Sequence, residues 1–372
     1  HGGRAQVGAV VGKLLGEDIS LKEKLSELKP EIERVILELN EYSFDEIKSE
    51  LEQNYPELLN LPKKEQHVKE LQNVIDGAVV LRFAPSPSGP LHIGHCLVLG
   101  LSSLYAKRYS GKLLLRIEDT NPENLYPPAY EMIVKDAQWL TENGVAGVRV
   151  QSDHLSEYYD VCESLLHDGK AYVCTCDADV FRGLVGHGRQ CPCRDLPPKE
   201  NVKRFGLMFS EYKAGEAVVR FKTDLSLNNP ALREWPMMRV NEHEHPRTGT
   251  KHKVWPLMNF SVAVDDHVTG VTHSIRGKDH ADNAKKQEFL QNAMGWDVPT
   301  SSFIGRVNFE GIELSTTKTR LAIERGEFTG WDDPRLAFLP ALRRRGYQAS
   351  ALRKFAESMG ISLADKVVSQ ED

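Results

Sequence analysis

Two histidines three residues apart, His92 and His95, close the stretch Ala84–His95, which reads APSPSGPLHIGH. If a helix begins there, both imidazoles sit on its first turn, where they can donate to phosphate oxygens. The helix start adds unpaired N–H groups and the positive end of the dipole. Gly94 leaves bare backbone against which a flat ring such as adenine could lie. Histidine pairs are more often structural or metal-binding. The strand expected before this loop, the helix after it and the prolines between select a nucleotide site.

A second set is ionic. Leu115-Arg116-Ile117-Glu118-Asp119-Thr120 ends an apolar run. Glu118 could face an ammonium, while Arg82 and Arg276 offer forked contacts to carboxylates. Structural ion pairing is the competing account. Asp265-Asp266 suits Mg²⁺, but turn and helix-cap acids are the expectation there. Cys174-Thr175-Cys176 and Cys191-Pro192-Cys193 flank fourteen residues that include His187. Four thiolates suit structural, tetrahedral Zn²⁺; three thiolates plus His187, or plain reduced cysteines, are the alternatives. Six cysteines in 372 residues are too few for a disulfide scaffold.

These residues need elements to hold them. Val79–Phe83 and Leu113–Ile117 read as buried strands, with a helix through Leu97, Leu101, Leu104 and Tyr105 between them. Pro127-Pro128 opens another helix, Gly144 follows its end, and a third strand is expected at Val148–Val150. Alternating strands and helices predict an α/β fold with a Rossmann-like parallel sheet. A helix from Leu155 to about His167 leads to the cysteines. Residues 177–255, rich in Pro, Asn and Arg, read as an irregular insertion. Strand-like texture returns at Phe260–Val264 and Thr272–Ile275, and a helix is expected near Lys285–Met294. Asp332-Asp333-Pro334 reads as a helix start. Residues 1 to about 75 are helical and charged, with Pro30, Pro56 and Pro62 as breaks. The expected division is a helical extension (1–76), a first sheet half (77–170), an α+β insertion (171–255), a second half (256–310) and a helical end (311–372).

With 47 basic and 53 acidic residues the net charge is −6, so a nucleic-acid partner must be held by local patches. Arg189, Arg194, Arg247, Lys251, His252, Lys253 and Arg343-Arg344-Arg345 offer such patches; for the arginine run a solvated helix face is the commoner role. No apolar run approaches the ~18 residues of a membrane span. No signal pattern opens the chain, so a cytoplasmic setting is expected. The chain begins at His1 without Met and reads as a fragment at both ends.

The Ala84–His95 stretch resembles the HIGH signature of class I aminoacyl-tRNA synthetases. With Leu115–Pro122 (LRIEDTNP), Trp255–His280 and Gly330–Gly346 it is similar to the glutamyl/glutaminyl branch, of archaeal and eukaryotic type. The resemblance runs through most of residues 78–360. It implies a Rossmann catalytic domain that activates glutamate with ATP and Mg²⁺, then transfers it to tRNA. It puts Arg82 and Ser86 in the substrate pocket, Glu118 on the ammonium, Arg276 on a carboxylate, and His92, Gly94 and His95 on ATP. The mobile KMSKS-type loop of the family corresponds to Glu313–Arg320, where Ser315 would touch ATP and Lys318, with Arg320 nearby, would face the leaving pyrophosphate. Glu313 and Thr316 replace the two lysines expected before that position. Met258 stands where the family often has Tyr. Asn121 follows the glutaminyl pattern while Glu118 follows the glutamyl one. Glutamyl enzymes of other branches carry zinc in a comparable insertion. The insertion would receive the tRNA acceptor end and the C-terminal helices the stem. The β-barrel anticodon module is expected to be missing by truncation. The N-terminal helices could dock a protein partner. The rivals are a glutaminyl enzyme, a paralogue that glutamylates queuosine in tRNA, and a non-catalytic tRNA-binding scaffold.

Overall fold

A computed structural model describes residues 5–56 and 68–369. Pro62 lies outside the described residues. The chain forms two compact units, His1–Gln66 and His67–Asp372.

The first unit contains helices Val7–Glu17, Leu25–Leu39 and Phe44–Asn54. The last begins at a capping box in which Ser43 and Glu46 each accept the other's backbone N–H, satisfying donors a helix start leaves open. Pro30 was expected to break the segment, but it lies inside Leu25–Leu39. It removes one helical hydrogen bond, and the helix persists with Ile32 and Ile36 buried on one face.

The second unit is built on strands β1 (Val80–Phe83), β2 (Lys112–Ile117), β3 (Val145–Val150), β4 (Ala171–Cys174), β5 (Val218–Phe221), β6 (Pro236–Val240), β7 (Val254–Pro256), β8 (His273–Gly277) and β9 (Thr300–Ile304). Five of them form a parallel sheet in the order β3-β2-β1-β8-β9. This is the expected α/β fold with a Rossmann-like sheet. Leu81, Leu99, Tyr105, Leu113, Leu115 and Leu140 are almost wholly buried around it, each worth roughly 1.5–3 kcal/mol of transfer free energy for a large apolar side chain. Chain order reverses between β1 and β8. These two share one Cα register pair, Leu81 with His273, so beyond it their carboxyl ends are not paired with each other. Such a switch point is where ligands enter this type of sheet.

Three local expectations change. Residues 177–255 are regular: β4 to β7 form an antiparallel sheet flanked by helices Ala178–Gly186 and Pro198–Met208. Trp235, Trp255, Met238 and Phe205 give that layer its own core; strands of three to five residues are too short to leave a clear period in sequence. Phe260–Val264 is not a strand but lies in helix Met258–Val268. All of its residues from Phe260 to Asp266 are buried, and a segment buried all round has no polar face to reveal its period. Asp333-Pro334 opens no helix. The Asp333 carboxylate accepts from Thr329 N–H and binds Arg335 at 2.7 Å, closing a turn, and helices follow only at Leu339–Arg344 and Ala349–Met359. Among the described residues no helix is long and apolar enough to cross a membrane.

Candidate active site

His92 is the N-cap of helix Ile93–Arg108, at the end of the stiff loop that follows β1. Its Nδ1 accepts the Gly94 N–H at 3.1 Å, and the His95 Nδ1 accepts the His92 N–H at 3.1 Å. With both Nδ1 atoms accepting, each neutral ring carries its proton on Nε2. The rings stack with centroids 3.7 Å apart. Burial lowers the His92 pKa to about 4. Burial, and then the charge of His92, holds His95 well below the ordinary imidazole range. The pair is therefore two neutral donors at physiological pH.

Gly94 is needed by the histidine beside it. A Cβ there would stand 2.9 Å from His92 Cε1 and 3.6 Å from Leu314. The helix start is clasped from the C-terminal side, where Ile93 donates to Ala337 and Leu339 to Leu91. The His95 ring meets Phe83, at the end of β1, edge-on at 5.9 Å. The structure thus seats both histidines at the switch point.

The 313–318 segment comes to the same place. Thr316 bonds Ser88 at 3.0 Å, tying this loop to the one before His92. Ser315 caps helix Thr316–Glu324 by accepting the Lys318 N–H at 3.3 Å. The Lys318 ammonium is exposed and rests on the Glu313 carboxylate at 2.9 Å. That bond, with the Ser315 N–H, holds Glu313 below its ordinary range.

The arginines form a layer under the sheet's carboxyl edge. Asp266, inside helix Met258–Val268, accepts from Arg82 at 3.2 Å and Arg116 at 2.6 Å through one oxygen. Asp265 accepts from Arg149 at 2.8 Å, Gln151 at 2.7 Å and Tyr158 at 2.8 Å. Burial opposes the Asp266 charge, but Arg82 and Arg116 outweigh it and hold the carboxyl at about 2. The expected turn and cap acids are thus buried helix acids that organise guanidinium groups. Glu118 meets Arg116 at 3.3 Å and is partly exposed; burial raises its pKa against the pull of Arg116 and Arg82. Asp119 accepts from Ser152 and Tyr130 and fastens the end of β2 to the next loop. Ser86 is exposed on the turn after β1.

Arg276, on β8, differs from its neighbours. Its guanidinium donates to Gln287 Oε1 at 2.8 Å and to Ser274 Oγ at 2.9 and 3.2 Å, all neutral acceptors. It is 9% exposed. Burial, then the charge of Arg82, pulls its pKa down to about 9. It opens on a cavity of about 260 Å³ lined also by Asp266, Lys285, Gln287, Ser301 and Phe303. Arg82 and Arg116 line a separate cavity of about 320 Å³ with Arg149. Asp266 links the two, since it bonds Arg82 and Arg116 and lines the Arg276 cavity. Sequence reasoning missed Arg116, Gln287 and Ser274. Arg116 alone left a signal, as a charge inside an otherwise apolar strand.

The four cysteines converge. The sulfurs of Cys174, Cys176, Cys191 and Cys193 all lie within 4.8 Å of one another, with 3.9 Å for Cys174–Cys191 and 3.7 Å for Cys176–Cys193. A tetrahedron with Zn–S bonds of ~2.3 Å has sulfur–sulfur edges of roughly 3.8 Å, so the set fits zinc. His187 does not join it; its Nδ1 is bonded to the Gly183 carbonyl at 2.7 Å. Asn121, the residue of glutaminyl pattern, accepts from Arg239 of the insertion at 2.8 Å. Of the basic residues noted above, Arg194, Arg247 and Arg343 hold structural ion pairs with Glu234, Asp153 and Asp136, and Lys253 donates to two backbone carbonyls.

Residues 78–371 match the family described as tRNA synthetases class I (E and Q), catalytic domain. A glutamate–tRNA ligase of Methanothermobacter marburgensis is 46% identical over 370 residues, covering 99% of this chain and 66% of the relative. One of Pyrococcus furiosus is 44% identical over 383 residues, covering 100% and 66%. The chain therefore spans about two thirds of the length of these curated relatives. The crystal structure of an Elizabethkingia meningosepticum glutamate tRNA ligase in complex with its amino acid is similar at TM-score 0.52 and 21% identity, over 77% of this chain and 67% of that one. The glutamate-tRNA synthetase of Elizabethkingia anophelis gives 0.53 and 22%, over 79% and 68%. These two likenesses concern the fold.

Proposed function

The chain belongs to the class I tRNA synthetases of the E and Q family, and from that premise we propose that it is the catalytic part of an enzyme that activates glutamate with ATP and transfers it to tRNA. The observation that carries the choice of glutamate is Arg276, a buried cation whose hydrogen-bond acceptors among the described residues are the neutral Gln287 and Ser274, beside a cavity. A guanidinium can only donate. A side-chain carboxylate completes it, whereas the amide of glutamine would have to turn its NH₂ away. Glu118 takes the ammonium, and Arg82 with Ser86 takes the remaining polar edge of the amino acid.

The reaction asks for placement and charge stabilisation more than covalent work. The glutamate carboxylate attacks the α-phosphorus of ATP, breaking its bond to the bridging oxygen and releasing pyrophosphate with Mg²⁺. His92 and His95 donate from Nε2 to phosphate oxygens without changing protonation state. Lys318 exchanges Glu313 for the leaving pyrophosphate, and Ser315 keeps the start of its helix in place. A ribose hydroxyl at the tRNA end then attacks the activated carbonyl, the bond from that carbon to the phosphate oxygen breaks, the hydroxyl proton passes to the departing phosphate, and AMP leaves.

Cys174, Cys176, Cys191 and Cys193 would hold a structural zinc that fixes β4 to the following loop. The insertion receives the tRNA acceptor end, and the helices after Leu339 its stem. Protein partners would dock on the N-terminal helices. The deciding experiment is ATP–pyrophosphate exchange with tRNA present, comparing glutamate with glutamine. Exchange with glutamate is expected. Exchange with glutamine alone, or none with either, would overturn the reading.

A further inference from the structure

The Arg276 guanidinium is one end of a chain of side-chain amides. Gln287 Oε1 accepts from Arg276 at 2.8 Å, and its Nε2 donates to Asn259 Oδ1 at 3.3 Å. Asn259 Nδ2 donates to Asn283 Oδ1 at 3.2 Å, and Asn283 Nδ2 reaches His280 Nδ1 at 3.0 Å. All four bonds point the same way. Their direction is dictated from the Arg276 end, because a guanidinium has no lone pair to accept with. Gln287 must therefore present oxygen to it and NH₂ to Asn259, and each later amide follows. The chain starts at buried Arg276 and Gln287 and ends at exposed His280. Two helices, Met258–Val268 and Ala281–Met294, carry its amides.

We propose that Gln287 is a positioning residue for the substrate carboxylate: it fixes the Arg276 guanidinium through a neutral acceptor, so that no carboxylate is hydrogen-bonded to its fork until glutamate arrives. The inference rests on the proposed activity. Its logic is a comparison with Glu, which has the same shape. Arg82 and Arg116 each already have a carboxylate within 3.2 Å. A carboxylate at 287 would give Arg276 the same kind of buried partner and cancel the charge that the substrate needs. A neutral amide aims the fork without that cancellation. Asn259 is the second positioning residue, since it keeps the Gln287 amide from turning over.

The test is steady-state kinetics of the full-length protein with tRNA, varying glutamate and ATP separately, for wild type, Gln287→Glu and Asn259→Leu. Gln287→Glu is expected to raise the glutamate KM about tenfold or more, in line with the loss of one charge-assisted contact. Its ATP KM and kcat should stay within about twofold, and its preference for glutamate over glutamine should fall by a similar factor. Asn259→Leu should shift the glutamate KM in the same direction by less. If Gln287→Glu does not fold, Gln287→Met removes the bond without adding charge and should raise the glutamate KM alone. An unchanged glutamate KM in a folded Gln287 variant overturns the proposal, as does a parallel loss in kcat and both KM values. Absence of glutamate activation by wild type would instead sink the proposed function itself.

Discussion

His92 and His95 stack face to face with each Nδ1 taken by a backbone N–H of the same turn. The two rings are thereby fixed, and their Nε2–H groups remain for a ligand. Replacing His95 with Ala removes one donor and the brace on its neighbour. Loss of a single transition-state donor commonly costs 10²–10³ in rate. His95→Ala is expected to lower ATP–pyrophosphate exchange by roughly that factor, with unfolding by denaturant little changed. Exchange at the wild-type rate would remove these rings from the reaction.

The same geometry fixes a pH response. An unperturbed imidazole titrates near 6.5, but burial holds His92 at about 4 and His95 lower still. From pH 6 to 8 both stay neutral, so their contribution to ATP binding is constant. The ATP KM is expected to vary by less than about twofold over that range, apart from the titration of the nucleotide's own phosphate. An inflection near 6.5 that disappears in a His92 variant would contradict the neutral pair.

Asp266 stands between Arg82 and Arg116, and removing its charge leaves two buried cations with one partner fewer. Breaking a buried pair costs about 3–5 kcal/mol. Asp266→Asn is expected to lower the unfolding free energy by an amount in that range, measured by urea denaturation. The acid behaviour follows from sign. Its folded pKa of about 2 lies below the ordinary 3.8, so the unfolded chain binds the proton more readily. The stability this group contributes is full above about pH 4 and is lost as pH falls through 2. In Asp266→Asn that part of the acid loss should be missing. An unchanged acid midpoint would mean that the carboxylate does not carry the arginine layer.

The sheet and its ligand edge were legible because the sequence states them twice, once as apolar runs and once as the residues that end them. Val79–Phe83 carries Arg82 next to its end and Leu113–Ile117 runs out at Glu118, and the His92 turn announces its own helix start. What stayed hidden depended on contacts across long separations. Nothing local says that Asp265 and Asp266 point from their helix at arginines on the strands, because their partners lie more than a hundred residues away. The helix Met258–Val268 was hidden by its burial. Gln287 was hidden by ordinariness, since a Gln in a helix has no signature until its partner is known. The insertion failed for a different reason: its strands are short, and their pairing is set by tertiary contacts between Trp235, Trp255 and Met238.

The four cysteine sulfurs lie within 4.8 Å of one another, near the ~3.8 Å edges of a zinc–thiolate tetrahedron. The Arg204 guanidinium lies 3.7 Å from the Cys193 sulfur, a cation placed to favour thiolate. Because ligand thiols must lose protons, metal affinity and folding of this layer are linked. The purified protein is expected to hold about one zinc per chain by elemental analysis, the stoichiometry of a closed four-ligand site. Cys191→Ser should lose the metal and become sensitive to protease in residues 175–196, while His187→Ala keeps the metal because its ring is bonded to Gly183. Strong chelator should reproduce the Cys191→Ser cleavage pattern in wild type. Metal-free protein that resists protease as well as the original would show that the knuckle stands on its packing alone.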